Sequence, residues 1–156
     1  MLDIADKRLN TARALAFLVP ASLLAGAYVS QYGFGLFPCE MCWWQRYPHF
    51  AAVALGFLSY FAPPRRVWIA LAALAIAISG AIGVFHAGVE YDWWESPLGC
   101  TASDPFSLEF VRCDEPAWTL MGISLAGYNA LLSIGSAVAI WMLLLAREKP
   151  VAEKMA

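Results

Sequence analysis

Four long apolar runs separated by short polar connections dominate this chain, spanning about residues 11–32, 43–62, 67–89 and 120–146. A helix rises about 1.5 Å per residue, so roughly 20 apolar residues cross the ~30 Å hydrocarbon core of a bilayer. The composition agrees, with 61% hydrophobic and 14% charged residues and a mean hydropathy of +0.61. A soluble domain carries about 25% charged residues. The expected architecture is therefore an all-α membrane protein. It is a single domain over residues 1–156, a four-transmembrane-helix bundle with polar loops at about 33–42 and 90–119. Pro20 falls in the first run, where a membrane helix tolerates it with a bend. Ala25-Gly26-Ala27 resembles a signal-peptide cleavage site, but the apolar run continues past it and reads as a retained span.

Charge placement orients the bundle. Lys7, Arg8, Arg13, Arg65, Arg66, Arg147, Lys149 and Lys154, eight of the ten basic residues, fall on one side of the predicted spans. Only Arg46 and Arg112 fall on the other. The positive-inside rule then puts both termini and the Pro63–Arg66 turn in the cytoplasm. All four cysteines face the opposite side, the periplasm of a Gram-negative cell, where disulfides persist. No basic stripe exists to bind nucleic acid.

The spacings Cys39-x2-Cys42 and Cys100-x12-Cys113 do not fit a zinc ribbon, which needs two close pairs. Trp43 stands where c-type haem attachment needs a histidine. Two disulfide-forming pairs fit better, although four cysteines allow three connectivities. Cys39 and Cys42 lie at the start of the second predicted helix, where the positive end of the helix dipole favours a thiolate. Arg46, four residues after Cys42, shares its helix face. It reads as a partner for a thiolate or an anionic acceptor, or as an interfacial arginine reaching lipid phosphates.

Gln45, Trp43, Trp44 and Tyr47 surround the pair. The rings form an interfacial belt that also suits a flat, lipid-soluble acceptor. His86, near the end of the third run, is a candidate proton relay or hydrogen-bond partner for a reduced carbonyl. His49 reads equally well as packing. Cys100 and Cys113 sit in the long polar loop. There they make either a structural staple worth about 3 kcal/mol or a disulfide that a partner protein can reach.

Together these residues resemble the DsbB family of quinone-dependent thiol oxidases. The resemblance rests on Cys39-Glu-Met-Cys42, Gln45-Arg46-Tyr47-Pro48, Phe85-His86-Ala-Gly88-Val-Glu90, Cys100, Arg112-Cys113-Asp114-Glu115 and the Trp118–Asn129 segment. It implies a membrane thiol:quinone oxidoreductase of the bacterial inner membrane that reoxidises a periplasmic DsbA-like thioredoxin-fold protein. Ubiquinone or menaquinone would be the acceptor, and no metal is needed. The implied catalytic residues are Cys39, Cys42, Cys100 and Cys113, with Arg46, Gln45, His86 and Trp43 binding the quinone. A Cys100–Cys113 disulfide would take electrons from the partner at Cys100, and Cys113 would exchange with Cys39. The twelve-residue Cys100–Cys113 interval is shorter than in long-loop members. Three other readings stand beside this one. A protein resembling vitamin K epoxide reductase would place its active pair late in the chain. A b-type cytochrome would use His49 and His86 as haem ligands. A structural membrane protein would hold two static disulfides.

Overall fold

The computed structural model describes residues 2–96 and 111–146. Four helices make the bundle: α1 (Leu2–Phe34), α2 (Glu40–Phe61), α3 (Arg65–Glu90) and α4 (Leu125–Leu145). Each packs on its neighbour in sequence, and α1 closes the ring against α4. Among the described residues, α3, α4 and the Ala5–Phe34 part of α1 are long and apolar enough to cross a membrane. α2 is 22 residues long but carries Glu40, Gln45, Arg46 and His49 in its first half.

The interior is two-tiered. At the end near the Pro63–Arg66 turn, Ala12, Ala16, Ala52, Ala72, Ala73, Ile69, Ile76 and Ile140 form a closed core. Its alanines let the helices approach closely, as packing in lipid requires. At the other end a smaller cluster gathers Cys39, Met41, Val89 and Cys113. The outward faces remain apolar: Leu18, Phe57, Leu74, Ile78, Leu131 and Val138 are all exposed. Such a surface suits hydrocarbon rather than water.

Pro20 lies fully buried inside α1 and has no N–H to give the Ala16 carbonyl four residues back. α2 approaches at that point. A Cβ on Gly56 would lie 2.8 Å from the Ala16 oxygen and 3.0 Å from the Phe17 Cα. Glycine is required here for the space it leaves. Gly56→Val should cost about 1–3 kcal/mol by forcing the two backbones apart. Thermal unfolding in detergent measures this, and an unchanged midpoint would refute the close approach.

α4 starts later than the apolar run implies, at Leu125 instead of about 120. Thr119–Leu120 and Ile123–Ser124 instead form a small antiparallel hairpin. Its two-residue turn places Met121 and Gly122 at φ 50 and 77, the doubly positive geometry that matches strand twist. Tyr91 Oη donates to the Gly122 carbonyl and accepts from the Ser124 N–H, stitching the hairpin to the end of α3. Ser124 Oγ then caps α4 by accepting from the Gly127 N–H, and donates to the Glu90 carboxylate.

Candidate functional site

Cys39 is the N-cap of α2, and its sulfur accepts from the Cys42 N–H at 3.4 Å. The cap brings the Cys39 and Cys42 sulfurs to 3.2 Å. Cys113 arrives from the segment before the hairpin and is 1% exposed, packed in the same cluster as Cys39. Its sulfur is in hydrogen-bonding contact with that of Cys39. This contact, the Cys42 sulfur and burial together push the Cys39 thiol well above its ordinary range, so Cys39 holds its proton. Cys100 lies outside the described residues, so the short Cys100–Cys113 interval is seen here only at its Cys113 end. Arg112 grips Asp114 at 2.6 Å and Glu115 at 3.1 Å, bracketing Cys113. The guanidinium beside Asp114 holds that exposed carboxyl below its usual range.

The Arg46 side chain is turned into the bundle. It is 6% exposed, donating to Gln31 Oε1 at 2.7 Å and to the Ala27 carbonyl at 3.3 Å. The Tyr28 and Trp43 rings lie 5.0 and 4.9 Å from its guanidinium carbon. Charge-assisted bonds and cation–π contact fix the head group inside the bundle. Beside it opens a cavity of about 260 Å³ between α1, α2 and the start of α4, lined by Cys42, Gln45, Arg46, His49 and Asn129 among mostly apolar neighbours. Among the described residues, Trp43 and His86 do not line it. Trp43 acts on Arg46, and His86 lies behind the cysteines.

His86 Nε2 is 3.5 Å from the Cys39 sulfur and 3.7 Å from Glu90 Oε1, and Nδ1 is 2.8 Å from Gln45 Nε2. Gln45 joins Asn129, which joins His49 and Ser133. His49 and His86 therefore both engage Nε2 with side chains. The Cys39, Cys42 and His86 donor atoms lie within 4.8 Å of one another, a spacing that a soft metal ion could bridge. Sequence reasoning passed over Asn129, Gln31 and Ser79. For Asn129 the available signal was an amide in an otherwise charge-free apolar run, since buried polar groups in a membrane need partners.

The sequence profile described as "Disulfide bond formation protein DsbB" matches residues 9–143. The chain belongs to the DsbB family. A disulfide bond formation protein B of Marinobacter nauticus is 29% identical over 75% of this chain and 80% of its own length. The protein of the same description from Stutzerimonas stutzeri is 28% identical over 88% of this chain and 98% of its own. That of Xanthomonas oryzae pv. oryzae is 30% identical over 83% and 85%. No solved structure matches the chain. As a DsbB-family protein it is a membrane oxidoreductase of disulfide-bond formation.

Proposed function

We propose that this DsbB-family protein is a thiol:quinone oxidoreductase of the bacterial inner membrane, oxidising a periplasmic DsbA-like dithiol at the expense of ubiquinone or menaquinone. α2 is the fourth span in this reading, both termini are cytoplasmic, and the cysteine end faces the periplasm. The observation that carries it is the placement of Cys113 against Cys39, with Cys42 3.2 Å away on the wall of a cavity that also holds Arg46.

The chain's own sulfurs account for the transfer. A partner thiolate attacks the Cys100–Cys113 disulfide at Cys100, and the partner's second thiol displaces Cys100, leaving an oxidised partner and two reduced loop cysteines. The Cys113 thiolate then attacks Cys39 of a Cys39–Cys42 disulfide and releases Cys42 as thiolate. Cys100 resolves the Cys39–Cys113 bond, restoring the loop disulfide and leaving Cys39 and Cys42 reduced. Each exchange breaks one S–S bond and forms one. Two electrons and two protons leave in all, and a quinone takes up that number on becoming a quinol. A partner as oxidising as DsbA, at about −120 mV, needs such a sink downstream. The cavity suits a flat ring bearing carbonyls: apolar walls, Arg46 as fixed cation and the Cys42 sulfur as electron donor.

Anaerobic quinone reduction by the purified protein, with a reduced DsbA-like protein as donor, tests the reading. Wild type should turn over, and Cys42→Ser and Cys100→Ser should each abolish it. Reduction that survives either substitution would break the relay.

A further inference from the structure

The polar chain behind the cysteines has a direction, and backbone atoms set it. Asn129 Nδ2 lies 3.2 Å from the Ser79 carbonyl, which can only accept, so this end of the amide is the N–H end. Ser79 Oγ agrees, because it spends its proton on the Gln45 carbonyl and accepts from Asn129. Asn129 Oδ1 then faces His49 Nε2 at 2.8 Å and the Ser133 hydroxyl at 2.9 Å, and both must donate to it. Gln45 is fixed in the same way. Its Nε2 donates to the Met41 carbonyl at 3.3 Å, and its Oε1 accepts from Asn129 Nδ2 at 2.7 Å. Turning Gln45 over would set N–H against N–H at Asn129 and oxygen against the Met41 carbonyl, and turning Asn129 over would set its oxygen against the Ser79 carbonyl and Gln45 Oε1.

One consequence falls on His86. The group facing its Nδ1, at 2.8 Å, is the Gln45 N–H, so Nδ1 carries a lone pair and no proton. The ring proton is then on Nε2, which faces the Cys39 sulfur at 3.5 Å and the Glu90 carboxylate at 3.7 Å. Glu90 would favour a second proton on this ring, but that proton would sit on Nδ1 against the Gln45 N–H. We propose that Gln45 and Asn129 are positioning residues that hold His86 as the neutral Nε2–H tautomer, making it a hydrogen-bond donor to Cys39. Cys39 accepts from the Cys42 N–H and donates toward the Cys42 sulfur at 3.2 Å, with the Cys113 sulfur also in contact with it. The donors thus run one way, from His49 through Asn129, Gln45, His86 and Cys39 to the Cys42 sulfur, and each bond polarises the next.

The inference deepens the proposed reaction and rests on it for its meaning: the chain ends on the sulfur placed next to the acceptor cavity. The same tautomer argues against a metal at Cys39, Cys42 and His86, because Nε2 has no lone pair to offer.

The test is histidine-selective 15N labelling of the full-length, reduced protein in detergent. The chain has two histidines, so a His49→Gln sample assigns the spectrum. At neutral pH His86 should show a protonated Nε2 and an unprotonated Nδ1. In Gln45→Glu a carboxylate replaces the donating amide, and a proton should appear on Nδ1. Asn129→Leu, which frees the Gln45 amide to turn, should give a mixture. Turnover should fall about tenfold in Gln45→Glu, as expected when His86 no longer donates to the Cys39 thiol and the donor chain that ends on Cys42 is broken, with the KM of the protein donor unchanged. A wild-type His86 protonated on Nδ1, or an unchanged spectrum in Gln45→Glu, would overturn the proposal. The spectra need no quinone or partner, so they stand or fall separately from the quinone-reduction assay.

Discussion

Cys113→Ala is expected to stop electron delivery from a protein dithiol while sparing reduction of the Cys39–Cys42 pair by a small dithiol such as dithiothreitol. Cys113 is buried against Cys39, so exchange between them is intramolecular, and positioned sulfurs of this kind gain orders of magnitude over a bimolecular encounter. Protein-driven quinone reduction should fall by about a thousandfold or more. Dithiothreitol-driven reduction should change by no more than about threefold, since removing the covering sulfur opens the path to Cys39 without touching Cys42. An equal loss with both donors would mean that Cys113 only supports the shape of the pair. Undiminished protein-driven turnover would take Cys113 out of the relay.

Arg46→Met should cause the largest loss of stability at a single polar side chain. The guanidinium satisfies Gln31 Oε1 and the Ala27 carbonyl and lies between two rings, while Gln31 is itself 8% exposed. Methionine fills similar volume but leaves Gln31 Oε1 without its donor, while the Ala27 carbonyl keeps only its helical partner. Hydrogen bonds to charged groups are worth about 1.5–3 kcal/mol each, so a loss of about 3 kcal/mol is expected. The KM for quinone should rise tenfold or more, because the cavity loses its fixed cation. Arg46→Lys should fall between, since a compact ammonium cannot reproduce the planar fork or lie flat on Trp43. Thermal unfolding and quinone kinetics on the same samples decide the matter. Wild-type values for both in Arg46→Met would show that the burial of Arg46 serves neither role.

The bundle was legible because lipid imposes long apolar runs, and Pro63-Pro64 and Cys39 punctuate them at the places where helices end and begin. The hairpin at 119–124 was not. Its turn has Met121 at the first positive-φ position, where asparagine or aspartate gives the usual hairpin signal, and its residues continue the apolar run without a break. The grouping of Cys39, Cys42, Gln45 and Arg46 was legible because they lie within eight residues of one another, whereas the approach of Cys113 to Cys39 depends on the fold. The arginine's two readings could not be separated until α1 supplied Gln31 and Tyr28. Asn129 was hidden for a related reason. An amide on a helix has a meaning only when its facing partners are known, and those come from α2 and α3, 50 to 84 residues away. The direction of the polar chain lies at a further remove, because it depends on which backbone carbonyls the amides meet.

The cap of α2 ties folding to chemistry through one atom. Helices ordinarily begin on an inert oxygen from serine, threonine, asparagine or aspartate. Here the atom that receives the first-turn N–H is the Cys39 sulfur, and in the proposed relay that sulfur changes its bonding partner within each turnover. A thiol, a bond to Cys42 and a bond to Cys113 offer that N–H three acceptors of different strength and direction. On that relay the opening turn of α2 would be held more or less firmly according to the bonding state of the sulfur that fastens it.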